Sequence, residues 1–115
     1  MNIEEIQEYC NTKKEVTESY PFGNETLVFK VANKIFCLAS IFPPISINLK
    51  CEPEKAIDLR ERYEEVIPGY HMNKKHWNTV DLHGTLKDSL IKEMIDDSYD
   101  LVFASLPNKI KKKLD

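Results

Sequence analysis

The chain has 115 residues, of which 42% are hydrophobic and 30% are charged. That length suits one domain with a single core, and that composition excludes a disordered protein. The formal net charge of -3, from 16 basic and 19 acidic residues, argues against a protein that wraps nucleic acid over its whole surface. A local basic patch is still compatible with phosphate binding, so the placement of charge matters more than its total.

The N-terminal segment MNIEEIQEYC lacks the basic and apolar regions of a signal peptide. No apolar run approaches the roughly 20 residues that span a bilayer. Cys10, Cys37 and Cys51 contain no C-x-x-C pair, and this odd count fits a reducing compartment better than a disulfide framework. We therefore expect a cytoplasmic protein with no membrane partner.

The first predicted element is a helix that begins after Asn2 and ends near Asn11. Asn2 and Glu5 have the spacing of a capping box, in which each side chain accepts a hydrogen bond from the other residue's backbone.

Three strands are predicted next. The stretch LVFKV, residues 27–31, alternates between apolar side chains on one face and others on the opposite face. A turn at residues 33–34 leads into residues 34–40, which are apolar on both faces. After two consecutive prolines, residues 45–50 alternate again, so the three strands form an antiparallel meander.

A second helix is predicted from Pro53, whose ring suits the first helical turn, to the Pro68–Gly69 pair. Beyond that pair, residues 70–72 and 77–83 are predicted as two short strands joined by residues 73–75.

The C-terminal part of the chain is predicted to be helical. Thr85 with Asp88 has the spacing of another capping box, followed by apolar residues at helical spacing. A further helix, capped at residue 97 or 98, is predicted to end at Pro107.

Strands joined by short turns, with helices before, between and after them, predict an α+β domain. In such a domain the helices cover one side of an antiparallel β-sheet, and we assign residues 1–107 to it. Residues 108–115 form a basic C-terminal tail, which we predict to be frayed.

Alternation also predicts which side chains occupy the sheet face without helices. If Val80 and Leu82 point into the core, the other side chains of that strand lie opposite. We expect that face to be an uncovered polar and aromatic surface with these members: Trp77, Thr79 and Asp81, with Lys30, Asn48 and Lys50 from neighbouring strands.

Five segments resemble the MmcQ/YjbR family of small bacterial proteins: YPFGNETLVFKV (20–31), KIFCL (34–38), INLKCEP (47–53), PGYHMNKKHWNTV (68–80) and SYDLVFASLP (98–107). The fourth segment is the most distinctive block of the family. The resemblance implies a CyaY-like, frataxin-related two-layer architecture described as a double wing, and a proposed role in DNA binding without a catalytic set. One departure is the pair AN at residues 32–33, where the family commonly has a glycine-containing turn.

The segment from residue 74 to 78 is the candidate site, because the resemblance and the residue chemistry both point to it. Lysines neutralise phosphates, an exposed indole can stack on a base, and a carboxamide can hydrogen-bond a base edge. The predicted nucleic-acid-binding residues are Lys74, Lys75, His76, Trp77 and Asn78, helped by Lys30 and Lys50. Lysines in the tail, among them Lys109 and Lys111, would add sequence-independent attraction or simply solubilise the end.

Two other interpretations stay open. In the first, the sheet face around Trp77 and Tyr70 recruits a protein or a small ligand. In the second, the lysines are a solvated hairpin tip and Trp77 packs on neighbouring strands, so the segment serves the fold alone.

The sequence predicts neither a metal site nor an enzyme. His71 and His76 are five residues apart, which matches no standard zinc motif. The chain has no G-x-S-x-G, no H-E-x-x-H and no glycine-rich phosphate loop among its three glycines. We expect no cofactor, and partners limited to DNA or another protein.

Overall fold

A computed structural model of the chain describes residues 1–69 and 72–114. Its strands are β1 (Val16–Ser19), β2 (Thr26–Val31), β3 (Lys34–Ser40), β4 (Ser46–Lys50), β5 (Val66–Pro68) and β6 (Trp77–Asp81). Its helices are α1 (Ile3–Asn11), α2 (Pro53–Arg62), α3 (Asp88–Ala104) and α4 (Asn108–Leu114). Within the described ranges, no helix has the length and hydropathy needed to cross a membrane.

The strands form one antiparallel sheet in the order β1-β2-β3-β4-β6-β5. Residues of α1, α2 and α3 join alternate side chains of the strands in a single apolar core on one face. The predicted α+β fold, with helices packed on one side of an antiparallel sheet, is therefore confirmed. The name double wing for this architecture stays a prediction.

Local signals predicted the start of the first helix correctly and the β2–β3 hairpin to within one residue. The Asn2 side chain accepts a hydrogen bond from the Glu5 backbone at 2.8 Å, and the Glu5 carboxylate accepts one from the Asn2 backbone at 3.1 Å, so the predicted capping box is present. The β2–β3 turn lies one residue earlier than predicted. Its two central residues are Ala32 and Asn33, with φ of 47° and 70°, the left-handed values that a tight hairpin turn requires.

Two strands, β1 and β5, were not predicted from the sequence, and they are the two outer strands of the sheet. β1 pairs with β2 and is four residues long. The predicted second helix ends at Arg62 instead of the Pro68–Gly69 pair, because Val66 and Pro68 pair with β6 as strand β5. Pairing across the sheet thus outweighed a helical stripe of apolar residues. The strand predicted at residues 70–72 begins in residues outside the described ranges.

The sequence predicted that a new helix begins at residue 97 or 98, but α3 continues through this point without interruption. Ser98 does not cap a helix; it is fully buried and joins α3 to the sheet. Its hydroxyl donates to the Phe36 carbonyl at 2.5 Å and accepts from the Lys50 backbone N–H at 2.8 Å. Phe36 is the extra residue of a β-bulge, where the β2–β3 register shifts, so its carbonyl needs a partner from outside that ladder.

Two C-terminal predictions were wrong. The capping box at Thr85 is not formed, because the Thr85 backbone N–H donates to the Glu65 carboxylate at 2.8 Å. This hydrogen bond also lowers the pKa of Glu65. The predicted frayed tail is helical as far as Leu114, and α4 begins with backbone hydrogen bonds to the Pro107 carbonyl.

Candidate functional site

The strand register settles which side chains share the helix-free face of the sheet. Trp77 is the cross-strand partner of Lys50, and Val80, three residues along, lies in the core. Lys30 lies on the same face, opposite Ile35 of β3. The predicted alternation is therefore confirmed for Lys30, Lys50 and Trp77.

That face is not uniformly open, however. The Trp77 side chain is only 8% exposed. Its carbonyl accepts hydrogen bonds from the Gly69 backbone at 2.7 Å and from the Arg60 guanidinium at 3.3 Å. A Cβ on Gly69 would lie 2.8 Å from the Trp77 Cβ, so the strand and the preceding segment are in direct contact. With so little of its side chain exposed, the indole is not available to stack on a base in this conformation.

Asn78 faces the core side and is 2% exposed. Its carboxamide oxygen accepts from the Arg60 Nε at 2.6 Å, and its nitrogen donates to the Ala56 carbonyl at 3.4 Å. This carboxamide therefore joins α2 to β6 and does not reach a base edge.

The loop that carries Lys74 and Lys75 is held at several points. The Arg60 guanidinium donates to the Lys74 carbonyl, and the Lys75 backbone N–H donates to the Asn73 carboxamide at 2.9 Å. The His76 carbonyl accepts from the Cys51 backbone at 2.8 Å, which extends the β4–β6 pairing by one residue. Both lysine side chains are exposed while His76 is half-buried, so the fixed backbone presents two cations to solvent.

The antiparallel topology brings further lysines to the same end of the sheet. The β2–β3 turn, the end of β4 and the start of β6 all lie at the same end of the strands. We use the name basic edge for this end of the strands together with the loop beside it. Its basic residues are Lys30, Lys34, Lys50, Lys74 and Lys75. None of these five lysines forms an ion pair with a residue in the described part of the chain.

Lys34 is the member that the sequence analysis missed. It is exposed and pairs with Val31 where β3 begins. The sequence offered a signal, because a hairpin turn at residues 33–34 already implied that Lys30 and Lys34 flank one sheet edge.

The opposite end of the sheet carries carboxylates. Asp81 ends β6, Glu25 precedes β2 and Glu65 precedes β5. We call this end the acidic edge. The net charge of -3, which counts every residue of the chain, does not show this separation.

Fold and register thus define a small α+β protein whose sheet keeps one face free of helices. The family model described as YjbR matches residues 11–101. The chain belongs to the YjbR family, and the resemblance noted in the sequence is confirmed.

Relatives and solved structures agree with this assignment. The uncharacterized protein YbdF of Escherichia coli O157:H7 is 40% identical over 83% of this chain and 79% of its own length. The uncharacterized protein YjbR of Escherichia coli K12 is 34% identical over 99% of this chain and 98% of its own length.

Two structures give the same fold. A crystal structure of a Deinococcus radiodurans protein superposes with a TM-score of 0.92 at 35% identity, covering 98% of this chain and 87% of that one. A protein from Pseudomonas syringae superposes with a TM-score of 0.78 at 29% identity, covering 89% of this chain and 99% of its own.

Proposed function

We propose that the protein is a non-enzymatic DNA-binding module that contacts phosphates through the basic edge. The observation that carries this proposal is the set of five lysines at one end of the sheet, without ion pairs to described residues. Phosphate neutralisation by lysine releases counterions and requires no base contact.

The burial of Trp77 and Asn78 decides what kind of binding to expect. The indole is 8% exposed and the carboxamide is hydrogen-bonded to Arg60, so neither of the two side chains suited to contacting bases is accessible to DNA. Binding through the lysines alone would be independent of sequence and strongly salt-dependent. Helix α4 begins four residues after the end of α3, and its lysines would add to this attraction.

The test compares two variants that change the charge equally. Lys74→Glu/Lys75→Glu alters the basic edge, whereas Lys87→Glu/Lys92→Glu alters exposed lysines at the N-terminal end of α3. The affinity for a mixed-sequence DNA duplex is measured by fluorescence anisotropy over a range of salt concentrations. We expect the first variant to bind more weakly and its salt slope to become shallower by about two units. Equal affinities for the two variants, or no binding by the parent at low salt, would overturn the proposal.

A cytoplasmic location fits this function. The three cysteines are free and buried, so the described structure uses no disulfide. A hydrogen bond with Cys10 and, after it, burial raise the pKa of Cys37, which keeps that thiol protonated.

The second candidate function, recognition of a protein or small ligand, is favoured by a different observation. A groove lies on the helix-free face at the acidic edge, away from the five lysines.

A further inference from the structure

The loop that carries Lys74 and Lys75 has no apolar anchor of its own. Asn73, Lys74 and Lys75 are all exposed, so burial contributes little to the conformation of the loop. The Asn73 carbonyl accepts from the His76 backbone N–H at 3.1 Å, and the Asn73 side chain accepts from the Lys75 backbone N–H at 2.9 Å. These bonds shape the turn, but they do not determine where the turn lies relative to the sheet.

Arg60 of α2 joins this loop to the rest of the protein. Its Nη2 donates to the Lys74 carbonyl and, at 3.3 Å, to the Trp77 carbonyl. One guanidinium therefore holds both the loop and the first residue of β6. Within residues 1–69 and 72–114, no other hydrogen bond connects Lys74 to a helix or strand.

A buried carboxamide fixes the orientation of Arg60 in turn. Asn78, which is 2% exposed, accepts from the Arg60 Nε at 2.6 Å and donates to the Ala56 carbonyl at 3.4 Å. Ala56 lies one helical turn before Arg60, so both contacts are made on the same side of α2. A planar guanidinium can donate in several fixed directions at once, whereas a lysine ammonium is a point charge on a flexible stem.

The positive charge of Arg60 has no carboxylate beside it in the described part of the chain. Its partners there are two carbonyls and a carboxamide, and it forms no ion pair with a described residue. Arg62, two residues along α2, pairs instead with Asp58 at 3.4 Å, and its side chain is 65% exposed. Arg60 thus adds positive charge beside Lys74 and Lys75.

We propose that Arg60 is the positioning residue of the DNA-binding surface, which holds the loop so that Lys74 and Lys75 contact phosphates in a preformed arrangement. This inference rests on the proposed DNA binding, and the phosphate contacts are those of the lysines. A loop that is ordered before binding loses less conformational entropy when DNA binds. Loss of the anchor should therefore weaken binding without changing the number of phosphates neutralised, which sets the salt slope.

Arg60→Lys and Arg62→Lys form a matched pair, because each keeps the positive charge on α2 and removes only a guanidinium. NMR relaxation of the backbone amides measures the order of the loop in the absence of DNA. We expect the order parameters of Lys74 and Lys75 to fall from about 0.85 to below about 0.6 in Arg60→Lys. Those of β3 should not change, and Arg62→Lys should match the parent protein throughout.

The affinity of the same variants for a mixed-sequence DNA duplex is measured by fluorescence anisotropy over a range of salt concentrations, well below the unfolding temperature of each. We expect Arg60→Lys to bind about threefold to tenfold more weakly at every salt concentration, with an unchanged salt slope. Arg62→Lys should bind within about twofold of the parent. Lys74→Glu/Lys75→Glu differs from Arg60→Lys, because it makes the slope shallower.

The two measurements separate failure of this inference from failure of the proposed function. An ordered loop in Arg60→Lys, or a disordered loop with unchanged affinity, would overturn the role of Arg60 and leave DNA binding by the lysines in place. A shallower slope would also overturn it, because the number of neutralised phosphates would then have changed. If the parent binds no duplex, the DNA function fails, while the relaxation data still decide whether Arg60 holds the loop.

Discussion

Trp77 illustrates the difference between the side of a sheet and access to solvent. Alternation along β6 places the indole opposite the core, and the register with Lys50 confirms that side. Accessibility depends instead on whatever packs against that face, and the Trp77 side chain is 8% exposed. A pattern in one strand contains no information about segments that approach from elsewhere in the chain.

Burial of Trp77 leads to a stability prediction. We expect Trp77→Ala to lower the free energy of unfolding by roughly 3 to 5 kcal/mol, the usual cost of removing a large buried ring. Phe42→Ala is the matched control, because that ring is 53% exposed. It should change stability by less than about 0.5 kcal/mol. Urea unfolding measures both variants, and similar costs for the two would show that Trp77 contributes no more than a surface ring.

At the scale of elements, locally encoded features were predicted well. The capping box of α1 involves residues three apart, and the alternation of β2 and β4 is contained in six residues or fewer. β5 was missed because its three residues become a strand only by pairing with β6. Its apolar residues continue the helical stripe of α2, so the local pattern favoured the wrong element.

Ser98 shows the same principle for a side chain. Sequence patterns favour serine at a helix start, yet here it lies within α3 and bonds a bulged carbonyl of β3 and an N–H of β4. We expect Ser98→Ala to cost about 1 to 3 kcal/mol in free energy of unfolding, because two buried backbone groups lose their partner.

Ser89→Ala is the control for this substitution. Ser89 is an exposed residue of the same helix, so its replacement reports the gain in helix propensity without a lost contact. Chemical unfolding of both variants measures how much the two hydrogen bonds of the Ser98 hydroxyl contribute to the free energy of unfolding. A Ser98→Ala protein as stable as the Ser89→Ala protein would mean that water replaces the hydroxyl at no cost.

For the whole molecule, the decisive property is the separation of charge along the strands. The total of -3 suggests a weakly acidic surface, while the topology brings five lysines to one end of the strands and three carboxylates to the other. These residues are far apart in sequence, from Glu25 to Asp81, so their grouping required the strand order. The proposed DNA-binding surface depends on that order.

The predicted domain boundary at residue 107 can be tested by comparing the full chain with a truncated one. No residue of α4 is buried, and so a protein ending at Pro107 should unfold within about 0.5 kcal/mol of the full chain. Its affinity for a DNA duplex at low salt should fall, because the lysines of α4 are gone. A large loss of stability would instead make α4 part of the domain.

By itself, the sequence determined the family, the α+β class, the first helix and the facing of the central strands, because these follow from short-range periodicity, capping and distinctive residue blocks. Tertiary structure decided the edge strands, the unbroken α3, the burial of Trp77 and Asn78 and the two charged edges. Those features arise from contacts between segments distant in the chain, whose free energies no local pattern records.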